Sequence, residues 1–137
     1  MQKRIARAGI AVLAAFLAFP AIAADEEIRS SGQINFVSGG VGEESLERMV
    51  ALSGDFNLKL LFANRAGEYL ADISFAVSDA RGGRILDAVS EGPWFLATLP
   101  PGKYRITAGC REESRTVSAA IPATGQREVV FRLECGE

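Results

Sequence analysis

The 137-residue chain contains no histidine, and that absence removes whole classes of chemistry. Neither a nucleophile with an imidazole base nor a histidine-ligated metal centre can be built from it. Cysteine is scarce: Cys110 and Cys135 are the only two, and their spacing rules out a CxxC redox pair. Two thiolates without an imidazole do not make a metal site, and no cofactor is expected. No basic run is present and acids outnumber bases, so nucleic acid is excluded as a partner. The longest apolar run, Ala8 to Phe19, has 12 residues. That is well short of the roughly 20 needed to span a bilayer.

What is present begins with that run. Lys3, Arg4 and Arg7 precede it, Pro20 breaks it, and Ala21-Ile22-Ala23 follows with small residues at −3 and −1. This is the layout of a secretory signal peptide cleaved after Ala23, and the short Ala-rich form reads as bacterial. The expectation is a periplasmic protein with no membrane span after cleavage. Removing 23 residues leaves 114, with 12 basic residues against 17 acidic ones, a net charge of −5. One domain of that size buries roughly 65% of its unfolded surface. In an oxidising compartment an even cysteine pair is read first as a disulfide, two buried free thiols being the alternative.

Residues 24–54 read as a charged lead-in, a short strand over Gln33–Val37, a glycine-rich turn and one helix. Leu46, Met49 and Val50 recur at i, i+3 and i+4. Glu43, Glu44 and Glu47 favour the positive end of the helix dipole, and Gly54 supplies a stop. A helix over Glu43–Ser53 follows, docking through Leu46, Met49 and Val50. After Gly54 the apolar period becomes two. Alternating segments at 56–62, 69–78, 85–90, 94–99, 104–108, 115–121 and 128–133 are separated by turn residues at regular spacing. They predict a mainly β domain over 55–137, a seven-stranded antiparallel sandwich with one N-terminal helix.

Within it, Gly92-Pro93-Trp94-Phe95-Leu96-Ala97-Thr98-Leu99-Pro100-Pro101-Gly102-Lys103-Tyr104 resembles the carboxypeptidase regulatory-like domain family. That family carries a Gly, two alternate large apolar residues, and Leu-Pro-x-Gly-x-Tyr before an alternating strand. Trp94, Leu96 and Tyr104 occupy the matching positions, and Gly67 to Asp79 resembles the family's first hairpin without its usual Pro and Gly. The resemblance implies an immunoglobulin- or transthyretin-like sandwich serving as an appended, non-catalytic module. The urate-product hydrolases of that fold class depend on histidines, which this chain lacks. Without the resemblance, Pro100 and Pro101 must still end a strand. Tyr104 then re-enters on the inward face with its hydroxyl at the rim.

The remaining candidates for chemistry are thin. Ser38-Gly39-Gly40-Val41-Gly42 before a helix suggests a phosphate loop, but no Gly-Lys-Ser/Thr follows, and Glu43 and Glu44 would repel an anion. Asp72, Asp79, Asp87 and Glu91 are scattered, as solvated surface charge is. Leu61, Leu70 and Phe95 fall on the faces opposite the inward sets and form a candidate contact surface. The function expected is a non-enzymatic envelope module acting through protein contact, with an envelope protein as partner. The alternative is a carrier of small ligands or glycan fragments, with Trp94 and Tyr69 as aromatic platforms.

Overall fold

The structure, a computed structural model, describes residues 27–111 and 113–135; the signal-peptide reading falls on residues outside these. In chain order the described elements are β1 (Arg29–Ser31), β2 (Ile34–Gly39), α1 (Glu43–Ser53), β3 (Leu58–Ala63), β4 (Ile73–Asp79), β5 (Arg84–Ser90), β6 (Trp94–Thr98), β7 (Gly102–Gly109), β8 (Ser114–Ile121) and β9 (Arg127–Arg132). They form a five-stranded sheet of order β1-β2-β6-β3-β9 and a four-stranded sheet of order β5-β4-β7-β8.

All seven expected strands are there, yet two parts of the expectation are corrected. The described strands number nine, because β1 and β2 join the larger sheet beside β6. The sheet therefore begins at Arg29, and a boundary at residue 55 does not separate it from the lead-in. The pairing is also not wholly antiparallel, since β9 runs parallel to β3 from Leu58↔Arg127 to Ala63↔Arg132. The link from β8 to β9 crosses from one sheet to the other, which delivers β9 to β3 rather than back beside β8. Strand β4 starts later than its apolar period, at Ile73, after Asp72 takes a left-handed backbone (φ 59°).

The principal core lies between the sheets. Leu58, Leu60 and Phe62 of β3 face Phe75 and Val77 of β4 and Ile106 of β7, all buried. Five phenylalanines run through it in sequence of contact. Phe36 stacks on Phe95 (5.5 Å), Phe95 meets Phe75 edge-on (4.4 Å), Phe75 touches Phe62 (6.0 Å), and Phe62 stacks on Phe131 (5.5 Å). Each such ring contributes about 2–3 kcal/mol by burial, and each pair about 0.5–1.5 kcal/mol more. Tyr104 closes one end of this core: its ring is buried and its hydroxyl donates to the Pro100 carbonyl at 2.6 Å. Burial raises the phenol's pKa, and the charge of Asp79 adds to the effect.

A second, smaller core sits on the outer face of the larger sheet, under α1. It comprises Val37, Met49, Phe56 and Leu96, flanked by Leu52 and Trp94. Met49 is fully buried, whereas Val50 is 56% exposed. The helix therefore docks through Met49 and Leu52, with Leu46 half-buried and Val50 turned outward. Its bounds match the expected ones, but its stop is not a left-handed glycine. Gly54 stays in the right-handed region (φ −66°). The amide of Gln126, in the β8–β9 loop, instead donates to the Ser53 carbonyl (2.8 Å) and the Phe56 carbonyl (3.1 Å). That satisfies orphan acceptors at the helix end and ties α1 to the far side of the sheet.

Candidate functional site

The edges of the two sheets do not match. β8 contacts β9 along one side, and β5 contacts β2 along the other. Strand β1 lies beyond β2, so the larger sheet overhangs the smaller one by a strand. Where β1 begins, opposite Phe36, the rest of β2 is left without a strand on that side among the described residues, and a groove of about 630 Å³ opens there. Phe36 to Gly39 of β2 run along it, Val41 and Gly42 border it at the start of α1, and Val89 and Glu91 close it from the side of β5. The glycine-rich run expected as a turn is thus one wall. Its shape is fixed by the Gly40 N–H donating to the Ser45 hydroxyl at 2.8 Å and by Gly40 at φ 104° against the Trp94 ring.

The inner end of the groove is pinned by backbone. The Glu91 N–H donates to the Ser38 hydroxyl (3.2 Å), and the buried Ser90 hydroxyl donates to the Gly92 carbonyl (2.7 Å). Gly92 lies so close to Gly39 that any Cβ would strike the Gly39 carbonyl. The charge lining the groove is mainly acidic. Glu27, Glu43, Glu44 and Glu91 face Arg29 and Arg48, and Arg29 lies 3.9 Å from Glu91. Glu43 and Glu44 already complement the helix dipole, so the wall they form attracts cations rather than phosphate.

The expected contact surface of Leu61, Leu70 and Phe95 does not form. Phe95 is fully buried between Phe36 and Phe75, Leu70 packs against the main core, and Leu61 is half-buried. The parity of β6 is the reverse of the expected one. Phe95, Ala97 and Leu99 face the sandwich interior, while Leu96 and Trp94 face the helix side. The exposed large apolar residues lie elsewhere, and two of them, Val41 (65%) and Val89 (51%), line the groove. Ile28 (51%) sits between two more lining residues, Glu27 and Arg29.

The aromatic platforms also divide. Tyr69 is exposed, but Trp94 carries the Lys59 ammonium 3.7 Å above its ring and has its indole nitrogen buried without a partner. Lys59 is itself largely buried and lies 3.6 Å from Glu128, its parallel-register neighbour. This arrangement holds Trp94 against the sheet. Of the scattered carboxylates, Asp79 closes the β4–β5 turn, accepting from the N–H groups of Arg81 (3.0 Å) and Gly83 (2.9 Å). Asp87 makes an exposed pair with Arg84 (3.2 Å).

At the same end of the strands but on the β7 and β9 side, Cys110 and Cys135 form a disulfide with Cα atoms 5.8 Å apart. Beside it Glu113 gathers three partners: the Glu134 N–H (2.7 Å), Arg65 (2.9 Å) and Arg115 (3.5 Å). The Arg65 N–H in turn donates to Glu134 (2.7 Å). The backbone bond from Glu134 is the main reason the Glu113 carboxyl is held below its usual pKa, the two guanidiniums assisting. This knot is structural, joining two turns to the end of β9.

The chain matches no protein-family model and no curated protein sequence. Functional reading therefore rests on the groove and on the disulfide-stapled body that carries it. Among the described residues no helix is long and apolar enough to cross a membrane, and no group of three or more Cys, Asp or Glu comes together as a metal site would require. The groove escaped sequence reasoning because its walls come from four separate segments. Its one local signal was Val41, an apolar residue among glycines.

Proposed function

We propose that the protein is an exported, periplasmic module of the carboxypeptidase regulatory-like kind that acts through protein contact rather than turnover. The observation that supports this most directly is the gathering of exposed valines, Val41 and Val89, beside an open groove on a body cross-linked by Cys110–Cys135. Exposed aliphatic residues clustered at a concavity mark contact surfaces more often than they occur by chance. The disulfide suits an oxidising compartment and the signal-like N-terminus. Cross-linking of the mature chain in periplasmic extract tests the reading. Recovery of a defined protein partner, reduced by Val41→Ser with Val89→Ser, is expected. A ligand-induced melting shift with no protein recovered would favour the small-ligand alternative and overturn this one.

A further inference from the structure

Acids outnumber bases in this chain, yet the smaller sheet gathers unpaired cations on one face. In the register across β4, β7 and β8, Ser78 lies beside Arg105 and Arg105 beside Ser118. Their strand neighbours Val77, Ile106 and Ala119 are buried, so these three face away from the core. Lys103, two residues before Arg105, shares that face, and the β4–β5 turn brings Arg81 to the same place. The short serines on either side of Arg105 and the turn beyond the strand end leave a cavity of about 580 Å³, at the far end of the strands from the disulfide. Among the described residues Arg81, Lys103 and Arg105 form no ion pair, whereas Arg29, Lys59, Arg65, Arg84 and Arg115 each reach a carboxylate. Of the residues lining the cavity only Asp79 is acidic, and its Oδ1 already accepts from the N–H groups of Arg81 and Gly83.

We propose that this cavity binds a phosphate monoester, carried by a small molecule or by a lipid headgroup. Three cations around one cavity repel one another, and an anion between them turns that repulsion into attraction. Three cations less one carboxylate leave a surplus of two positive charges, which a phosphate monoester, close to dianionic at neutral pH, neutralises. A carboxylate would balance half of it. Guanidiniums meet phosphate oxygens in bidentate pairs, and the Ser78 and Ser118 hydroxyls are free to add donors. The volume is that of a small-ligand site. An extended polyanion finds no track here, because the next row across the sheet, Asp87, Ala76, Thr107 and Thr116, carries no cation. The cavity shares no residue with the groove, so this proposal does not rest on the protein-contact reading.

The test uses the mature chain, residues 24–137, with two soluble probes of similar size, glycerol 3-phosphate and glycerate, followed by amide chemical shifts. Glycerol 3-phosphate should move the signals of Ser78, Arg81, Lys103, Arg105 and Ser118, and bind at least about five-fold more tightly than glycerate. Phosphatidylcholine vesicles with and without phosphatidic acid separate the two sources. Capture by the phosphatidic acid vesicles well beyond the soluble affinity assigns the headgroup, and soluble binding alone assigns the small molecule. Arg105→Gln should weaken binding about ten-fold with Tm nearly unchanged, and Arg81→Gln with Lys103→Gln should do so from the other wall. Arg84→Gln, which loses only the pair with Asp87, should leave it within about two-fold. Asp79→Asn keeps an acceptor for the two turn N–H groups and removes the one negative charge, so it should tighten binding several-fold. That gain is one that a merely structural role would not produce. Equal affinity for glycerate, shifts centred outside the cavity, insensitivity to both sets of cation substitutions, or no binding of either the soluble or the vesicle probe would overturn the assignment.

Discussion

At Gly92 the β5–β6 connection meets β2 backbone to backbone, because a Cβ there would strike the carbonyl of Gly39. Close approach of this kind needs glycine for space, independently of φ. Gly92→Ala should therefore push β6 from β2 at the groove's closed end and cost about 1–3 kcal/mol, as overpacking does. A urea midpoint equal to wild type would show that the contact relaxes freely. Glu113 illustrates the charged counterpart. Its carboxyl is held below the usual 4.5 in the folded chain, chiefly by the Glu134 N–H and then by Arg65 and Arg115. A lowered folded-state pKa means the unfolded chain takes up the proton first as pH falls. The stabilisation is thus complete above the unfolded value and is lost as pH drops through the folded one. Glu113→Gln should lower the midpoint near neutral pH, and the gap from wild type should close as pH falls through the lowered folded-state value. A gap independent of pH would assign the loss to packing.

Among the elements, α1 was the most legible, for physical reasons. Its 3.6-residue period, the early glutamates and the glycines on either side all act locally. The seven later strands were legible for the same reason, since alternation and turn residues need no knowledge of partners. Three things were not. Arg29-Ser30-Ser31 has no apolar period, and it becomes β1 only because β2 offers an edge. The parity of β6 was misread because Trp94 to Leu99 is apolar on both faces. One face meets the sheet opposite and the other meets α1, so alternation carries no sign. The parallel pairing of β3 with β9 depends on which sheet the chain enters after Pro122, a non-local choice. The helix makes a paired prediction. Met49→Asp places a charge in a fully buried site and should cost at least about 2–3 kcal/mol, whereas Val50→Asp, one residue on, should stay within about 0.5 kcal/mol. Trp94, the single tryptophan, flanks the same small core, so its emission should redden in the first variant only. Equal effects at both positions would mean that the helix docks in another rotation.

For the whole molecule the decisive connection is the one between sheets. Counting reversals puts Cys110 and Cys135 at one end of the domain, but neighbouring positions on one sheet would have left a middle strand between them. The structure resolves this by placing β7 in the smaller sheet and β9 in the larger, so the bridge spans the layers with Cα atoms 5.8 Å apart. It closes a loop with a sequence separation of 25 residues. In the chain-entropy model that contributes about 3–4 kcal/mol, acting on the unfolded chain. The native-state consequence is local. Strand β9 is the last strand and an edge, yet it supplies Val129 and Phe131 to the main core, and Leu133 follows it there. A terminal edge strand is where fraying begins, and the bridge lies two residues beyond Leu133. Cys110→Ala with Cys135→Ala should therefore lower Tm by roughly 10–20 °C for a domain of this size. Before global unfolding it should speed hydrogen exchange in β9 and in its partner β3 more than in β4 or β5. The Glu113–Glu134 and Arg65–Glu134 contacts remain in that variant, so β9 should loosen without detaching. Uniformly faster exchange across both sheets would mean that the bridge acts only through the unfolded chain. Two titratable thiols in denatured, unreduced protein would remove the bridge altogether.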